Sequence, residues 1–469
     1  MSATQVLAKW ATELRWEDVP AATRDKAKQC LMEFFSCCLV ARDEEPGRLL
    51  AMVLKGLGGN AQASIIGRPE KLSVEQAALV NGALGHVWEI DDTHRQTMSH
   101  PGDSVIPAAL AVGEWLGSDP VSVLTAIVAG YEVAVRVCAS VLPSHLNKGW
   151  HPSGTTNTFG AAAAAGKLLG LTQEEMASAF GLATTQASGT FCHLPEMAMT
   201  KDLNPGKAAA NGVLSALLAQ AGFTGSPTAL ENRRGFLSTH ADGGDLTKVT
   251  TGLGATFAMD QIAFKPYSAC RHAHASIDAM LALREEHGLT EEMISKIKIV
   301  IYPMAATLIN NPDPIRLGFY GTRYSVHFNV ALALLAGAAG MQRALFDQEY
   351  GQAMVRDKEI NKVMAKTEVE VDPRLGEGWP DKWPAKVVVT LTDGAVLERL
   401  VEYPLGEPER PMQYSQLVGK MQEAAKGYLT EVEVEHVVET IQSLEKLRSV
   451  RDLMQLVSKG STAGGEARG

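Results

Sequence analysis

The chain of 469 residues holds only six cysteines, at positions 30, 37, 38, 138, 192 and 270, with no CxxC among them. A disulfide framework needs paired spacing and an oxidising compartment, so free thiols in a reducing cytoplasm are expected. The same scatter weakens the case for a cysteine-ligated iron–sulfur cluster. Positive charge is also short: 43 Lys and Arg against 53 Asp and Glu leave a net charge of −10. That balance argues against a nucleic acid or an anionic membrane as partner, since both need basic patches. No apolar run reads as a transmembrane span; the Ala-rich stretch 159–170 is short and contains Lys167. The opening MSATQVLAKWATELRWEDVP has no apolar core of a secretory signal. Missing too are GxGxxG after a strand, GxSxG, HExxH and an EF-hand loop, and no Ser or Thr follows Lys207 to make a Walker loop. Hydride transfer, nucleotide hydrolysis and zinc proteolysis lose ground together.

What is present is ordinary in amount and uneven in placement. Apolar residues make up 46% and charged residues 20%, the composition of a globular chain with room for two or three domains. Residues 1–262 read mostly as helix. Ser73 with Gln76 and Thr172 with Glu175 have the spacing of capping boxes, and Pro107 and Pro120 sit where helices are expected to begin. The stretches TFGAAAAAGKLLG (158–170) and GKAAANGVLSALLAQAG (206–222) are rich in Ala and Gly, which lets helix axes approach closely in a bundle. The pattern changes near 260. IKIVIY (297–302), KVVVTL (386–391) and VLERLVEY (396–403) read as strands, the last two joined by the turn TDGA, with helices over 272–285 and about 325–340. This gives a mainly α protein with an α+β insertion: a large all-helical domain from 1–262 and 411–469, and a smaller α+β domain over 263–410. The tail STAGGEARG (461–469) is expected to be disordered.

The chemistry concentrates at loop-to-helix junctions. Residues 88–107, WEIDDTHRQTMSHPGDSVIP, place Glu89, Asp91, Asp92, Asp103, His94 and His100 between two apolar runs. Unpaired buried charge is costly, so such a cluster points to an active site. In His100-Pro-Gly-Asp103 the proline fixes φ and the glycine permits a sharp turn, which holds the imidazole rigidly as a general acid or base. Gly149-Trp150-His151-Pro152-Ser153-Gly154 repeats that arrangement. Lys207 reads as lying in the first turn of an Ala-rich helix, where a cation opposes the helix dipole and suggests anion binding. FKPYSACRHAHA, starting at Phe264, brings Lys265, Cys270 and Arg271 together; arginine suits bidentate carboxylate binding, and an exposed Cys270 beside it would have a lowered pKa. His272 and His274, two residues apart on a helix, splay by about 200°, so no metal is expected there. Histidines, lysines, arginine and carboxylates with no evident cofactor suit removal of a proton next to a carboxylate.

With these motifs the chain resembles the MmgE/PrpD family over roughly residues 5–455. The marks are DDTH (91–94), HPGD (100–103), GWHPSGT (149–155), the Lys207 segment and FKPYSACRHAH (264–274), with YSVHFNVALALL (324–335) as a weaker one. The resemblance implies a large helical domain built from both chain ends, a smaller α+β lid, a homodimer, and an active site in the cleft between them without metal or organic cofactor. It places working residues at Glu89, Thr93, His100, His151, Lys207 and Lys265, and likens Arg271 to a carboxylate-binding arginine. Two departures stand out: Cys270 replaces a histidine five positions after the boundary lysine, and Phe328 replaces a tyrosine of the later helix. The expectation is a cytoplasmic lyase acting on a small di- or tricarboxylate, of the 2-methylcitrate dehydratase type. Its rivals are an epimerase of the iminodisuccinate type, a cis-aconitate decarboxylase, and a helical dimer that binds a polycarboxylate without turning it over. In this scheme Lys207, Lys265 and Arg271 anchor carboxylates, with Glu89, Asp91, Asp92, Thr93 and Cys270 around the substrate. His100 and His151 share the acid and base roles, one as neutral imidazole and the other as imidazolium, so a bell-shaped pH–rate profile is expected.

Overall fold

The computed structural model describes residues 1–459; the expected disordered tail lies outside the described residues. The chain divides into two units. The first comprises Met1–Val87, Asp91–Ile262 and the described part of the C-terminal segment from Gln413. The second comprises Ala263–Met412 together with Trp88–Ile90, three residues that contiguous boundaries drawn on the sequence assigned to the helical domain.

The first unit is almost wholly helical. Its centre is formed by α1 (Ala21–Ala41), α2 (Val74–His86), α3 (Gly102–Leu116), α4 (Pro120–Val141), α5 (Asn157–Leu168) and α6 (Thr200–Gln220). α6 packs on both α2 and α5, and α5 in turn on α3 and α4. These contacts depend on missing side chains. A Cβ on Gly82 would lie 2.6 Å from the Asp103 carbonyl oxygen and 2.9 Å from Gly206 Cα, while one on Gly206 would lie 2.4 Å from the Leu79 carbonyl oxygen. α2 and α6 therefore cross backbone to backbone, which fixes what their termini can present. The C-terminal helices Tyr414–Ala424, Glu431–Gln442 and Val450–Val457 rejoin this unit, the first two packing on α1 and the last on α3.

Some helix boundaries in this unit follow the local sequence signals and others do not. Thr172 and Glu175 form a reciprocal capping box, and Pro120 opens α4 behind the N-cap Asp119. Ser73 does precede α2, but its side chain makes no capping bond; Gln76 instead donates to the Gly58 carbonyl. Pro107 lies inside α3, which already begins at Gly102. Lys207 is not in a first helical turn either, because α6 starts at Thr200 and continues through Pro205. Two helices, α4 and Val326–Phe346 in the second unit, are long and apolar enough to cross a membrane, which the reading of apolar runs missed. In α4, 89% of the apolar window is buried within the protein, and its Glu132 and Arg136 pair with each other.

The second unit carries a four-stranded mixed sheet with β1 (Ile294–Ile301), β2 (Thr367–Val371), β3 (Ala385–Leu391) and β4 (Val396–Val401) in the order β2-β1-β3-β4. β1 and β2 run parallel, and the other pairs are antiparallel. β2, with charge at every second position (TEVEV), was not foreseen; as an edge strand it has one neighbour only and needs no continuous apolar run. Alternating residues Val387 and Val389 of β3 and Ile297 and Ile299 of β1 are buried. α7 (His274–His287) packs on β3 and β4, and α8 (Val326–Phe346) packs on α7.

The close helix packing makes a direct prediction. A Cβ on Gly212 of α6 would sit 2.4 Å from Ala161 Cβ and 2.6 Å from the Ala162 backbone nitrogen. Gly212→Ala is expected to lower the thermal midpoint and cost about 1–3 kcal/mol through overpacking. Gly56, also helical but with nothing near its Cβ position, should tolerate alanine or gain about 0.5–1 kcal/mol. Differential scanning calorimetry of both variants checks the contrast.

Candidate active site

Three imidazoles meet in the first unit, and one of them went unnoticed in the sequence. His86, the last residue of α2, stands 5.0 Å from the His100 ring and 5.7 Å from the His151 ring, centroid to centroid. The signal that could have found it is its position five residues before Asp91, at the end of an apolar helix. Asp91 is the hub: one of its carboxylate oxygens lies 2.9 Å from His86 Nδ1 and 2.7 Å from His100 Nδ1. Asp103, in the first turn of α3, also reaches His86 Nδ1 at 2.9 Å and shares a hydrogen bond with Asp91. Burial first, and then the Asp91 charge, push the Asp103 carboxyl well above the usual carboxylate range, so Asp103 holds a proton while Asp91 carries the charge. Asp103 is thus part of the histidine network.

The neighbouring acid has a different environment. Asp92 accepts from Tyr131 Oη at 2.7 Å and from the Gly102 backbone N–H at 3.1 Å. A Cβ at position 102 would lie 2.8 Å from that carboxylate, so only glycine lets the helix start approach it. Complete burial raises Asp92 to about 6 against the opposing hydrogen bond from Tyr131. Thr93 Oγ1 lies 3.4 Å from His100 Nδ1, and His94 turns away to Thr97 Oγ1 at 2.9 Å. His94 is lowered to about 3 by burial and does not join the cluster.

His151 opens its short helix as the sequence suggests, and its ring is backed by Phe191 at 4.6 Å and His193 at 5.8 Å. Asn204, on α6, donates from Nδ2 to His151 Nδ1 at 2.9 Å and to the Thr190 carbonyl at 3.3 Å. Burial drives His151 well below its ordinary value, helped by His86, His193, His100 and Lys201. His86 falls to about 3 for the same leading reason. Both rings are neutral near pH 7, so an imidazolium at position 151 is not available as proton donor. The cation beside this group is Lys201, in the first turn of α6, whose Nζ donates to the His86 carbonyl at 3.2 Å. Lys207 lies two turns further along, and among the described residues no hydrogen bond or ion pair joins it to the histidines.

His86, Asp91 and His100 are the one group of described residues with donor atoms close enough to suggest a metal ion. Their spacing speaks for protons. Two ligands of a tetrahedral zinc at about 2.0–2.1 Å stand roughly 3.4 Å apart, whereas the Asp91 oxygen is at hydrogen-bond distance, 2.7 and 2.9 Å, from the two ring nitrogens.

The other sequence candidates lie in the second unit. Lys265 is fully buried, and its Nζ meets Glu89 Oε1 at 3.0 Å. Tyr324 donates to Glu89 Oε2 at 2.9 Å, so a phenol is present beside that carboxylate although position 328 is phenylalanine. Glu89 has φ +55°, a left-handed backbone that is strained for any residue but glycine and is often found at functional sites. Arg271 is committed internally: Nε and Nη2 bond Glu407 at 3.0 and 2.8 Å, and Nη1 bonds the Leu405 carbonyl and His274. Cys270 is buried, which removes the reading of an exposed reactive thiol. His272 lies in the 3₁₀ turn Arg271–Ala273 and His274 begins α7; they face Tyr302 and Arg271 respectively and share no ligand site.

Comparison with known proteins bears on the family of the chain. The family model described as the MmgE/PrpD N-terminal domain matches residues 5–248, and that described as the MmgE/PrpD C-terminal domain matches 267–446. A cis-aconitate decarboxylase of Aspergillus terreus (strain NIH 2624 / FGSC A1156) is 27% identical over 97% of this chain and 96% of its own. The cis-aconitate decarboxylase of Homo sapiens is 25% identical over 92% of this chain and 89% of its own. The 2-methylcitrate dehydratase of Escherichia coli (strain K12) is 26% identical over 82% of each.

The Asp92 environment predicts a pH signature in stability. Its folded value, about 6, lies above the ordinary 3.8, so its contribution favours folding at low pH and is lost as pH rises through 6. His86, lowered to about 3, contributes in the opposite sense, so the effect is read as a difference between variants. Asp92→Asn, which keeps an acceptor for Gly102, is expected to be about 3 kcal/mol more stable than the parent at pH 8 and equal to it near pH 4. Denaturant unfolding at pH 4, 6 and 8 measures this; an offset independent of pH would contradict it.

Proposed function

Because the chain belongs to the MmgE/PrpD family, we propose that it is a lyase that removes a proton next to a carboxylate of a small di- or tricarboxylate and expels water, as a dehydratase of the 2-methylcitrate type. One observation carries this reading. The buried imidazoles of His86 and His151 and the partly exposed one of His100 converge with their Nδ1 atoms engaged by Asp91, Asp103 and Asn204, and among the described residues no Nε2 of the three has a hydrogen-bond partner. Rings held by one nitrogen and open at the other are arranged to exchange protons with something that is not protein.

In the proposal Lys201 takes the substrate-anchoring place first given to Lys207, since its charge lies beside the rings. Lys265 and Arg271 already hold Glu89 and Glu407, so they organise their own unit before they can serve a ligand. No step calls on a metal or organic cofactor. Elimination then balances simply: the carbon loses a proton to an imidazole, the C–O bond breaks, and the departing hydroxide takes up a proton to leave as water.

Decarboxylation of a cis-aconitate-like substrate is the second reading. It is favoured by the longer match to decarboxylases, 97% of this chain against 82% for the dehydratase, and by the phenol of Tyr324 beside Glu89.

Incubation with citrate, 2-methylcitrate, cis-aconitate, malate and iminodisuccinate in deuterated water, followed by proton NMR, separates these. An alkene formed with loss of water supports the dehydratase, and loss of carbon dioxide supports the decarboxylase. Exchange of the α-proton for deuterium without either makes the protein an epimerase. Unchanged spectra with ligand-dependent stabilisation make it a binder. His100→Ala and His151→Ala are each expected to cut turnover about 10²–10⁴-fold; full activity in both variants would rule out the histidine mechanism.

A further inference from the structure

We infer that His100 and His151 are held in opposite tautomers, and that Asn204 is the positioning residue that makes His151 a neutral hydrogen-bond donor and leaves His100 as the base. The inference rests on the proton-transfer reading above and assigns the roles within it.

The assignment follows from which partners can donate. His100 Nδ1 faces the Asp91 carboxylate at 2.7 Å and the Asp92 backbone carbonyl at 2.7 Å. Neither of these has a hydrogen to give while Asp91 is ionised, so Nδ1 carries the proton and a neutral ring keeps its lone pair on Nε2. Asp103 helps here, because by holding a proton itself it leaves the negative charge on Asp91. At His151 the partner is reversed. The Asn204 amide group that faces Nδ1 also donates to the Thr190 carbonyl. A carbonyl can only accept, so the group between them is the NH₂ and not the amide oxygen, and Nδ1 must accept. A neutral His151 therefore bears its proton on Nε2.

Asn204 is held by its surroundings. A Cβ on Gly189 would fall 3.1 Å from Asn204 Oδ1, and one on Gly154 would fall 3.2 Å from Asn204 Cβ. Gly189 has φ +136°, so the loop carrying Thr190 can lie against the amide only with glycine there. The groups facing His151 from the packed elements are His86 from α2, His100 from the turn before α3, His193 from the 190s loop and Lys201 from α6. None of them is an anion, so nothing in that list would stabilise an imidazolium.

The chemical consequence is a division of labour. His100 Nε2 takes the proton from carbon, forming a new N–H bond while the C–H electron pair moves toward the substrate carboxylate. His151 Nε2–H donates a hydrogen bond to the substrate oxygen on which negative charge develops, and keeps its proton throughout. As the C–O bond breaks, the proton on His100 passes to the departing hydroxide, which leaves as water, and both rings return to their starting state.

The test reads tautomers directly. In full-length protein with ¹⁵N-labelled histidine rings, long-range ¹H–¹⁵N spectra near pH 7.5 distinguish a protonated from a bare ring nitrogen, and His100→Gln and His151→Gln assign the two signals. The expected result is His151 protonated on Nε2 only and His100 protonated on Nδ1. A proton on His151 Nδ1 overturns the inference, whether or not the protein turns over any carboxylate. Asn204→Asp replaces the donor by an acceptor and is expected to move the His151 proton to Nδ1. It should also lower kcat about 10-fold or more, by analogy with tautomer loss in a catalytic triad, with KM changed far less, for whichever of the five carboxylates is consumed. A folded Asn204→Asp protein with an unaltered His151 tautomer overturns the positioning role; if that variant does not fold, the parent spectrum alone decides. Failure of all five carboxylates to react would instead strike the lyase reading, which the spectra do not touch.

Discussion

A carboxylate buried away from water must find donors, and Asp91 is 1% exposed. Two imidazole nitrogens meet that need, one at the end of α2 and one in the turn before α3. The requirement explains why His86 and His100 stand where they do. It also explains why Asp103 keeps its proton, because a second buried negative charge beside Asp91 would have no compensation. Satisfying one anion thus sets the orientation of two rings and the charge state of a third acid. The histidine and carboxylate geometry of the first unit grows from that local accounting.

The accounting works only because the helices come close enough. Gly82 and Gly206 remove side chains at the crossing of α2 and α6, and Gly85 does the same under Asp103, whose Oδ1 would lie 2.5 Å from a Cβ there. The crossing brings Lys201 to the His86 carbonyl and Asn204, one turn on, to His151. Small residues in the bundle therefore serve the histidine group as well as the core: a methyl group at position 82 or 206 would displace backbone, and one at 85 would displace the Asp103 carboxyl. The second unit solves a similar problem by pairing. Lys265 is neutralised by Glu89, and Arg271 by Glu407, so these two buried cations are satisfied by residues of the same unit.

Much of this was legible in the sequence. The helical and α+β parts, the hairpin of β3 and β4, the turns that carry His100 and His151, and the concentration of acids at 89–103 all announce themselves through local rules: periodicity, proline and glycine placement, and the cost of burying charge. The family resemblance rested on those same motifs, and the matches over 5–248 and 267–446 agree with it. Lys207 shows where such reading stops. The pattern NPGKAAANG looks like a loop entering a helix, yet Pro205 and Gly206 are accommodated within α6, and the helix begins five residues before the proline.

What the sequence determined by itself was the kind of chemistry available: imidazoles on rigid turns, acids too many for a core, scattered free thiols and no cofactor motif. These follow from composition and from interactions a few residues apart. The tertiary structure decided which residues work together. His86 joins His100 through Asp91, Lys201 replaces Lys207 beside the rings, Tyr324 supplies a phenol to Glu89, and Asn204 dictates the proton on His151. The reason is physical. A hydrogen-bond partner 53 residues away, as Asn204 is from His151, leaves no trace in local pattern, because its identity depends on where two helices cross and not on what lies next to it in the chain.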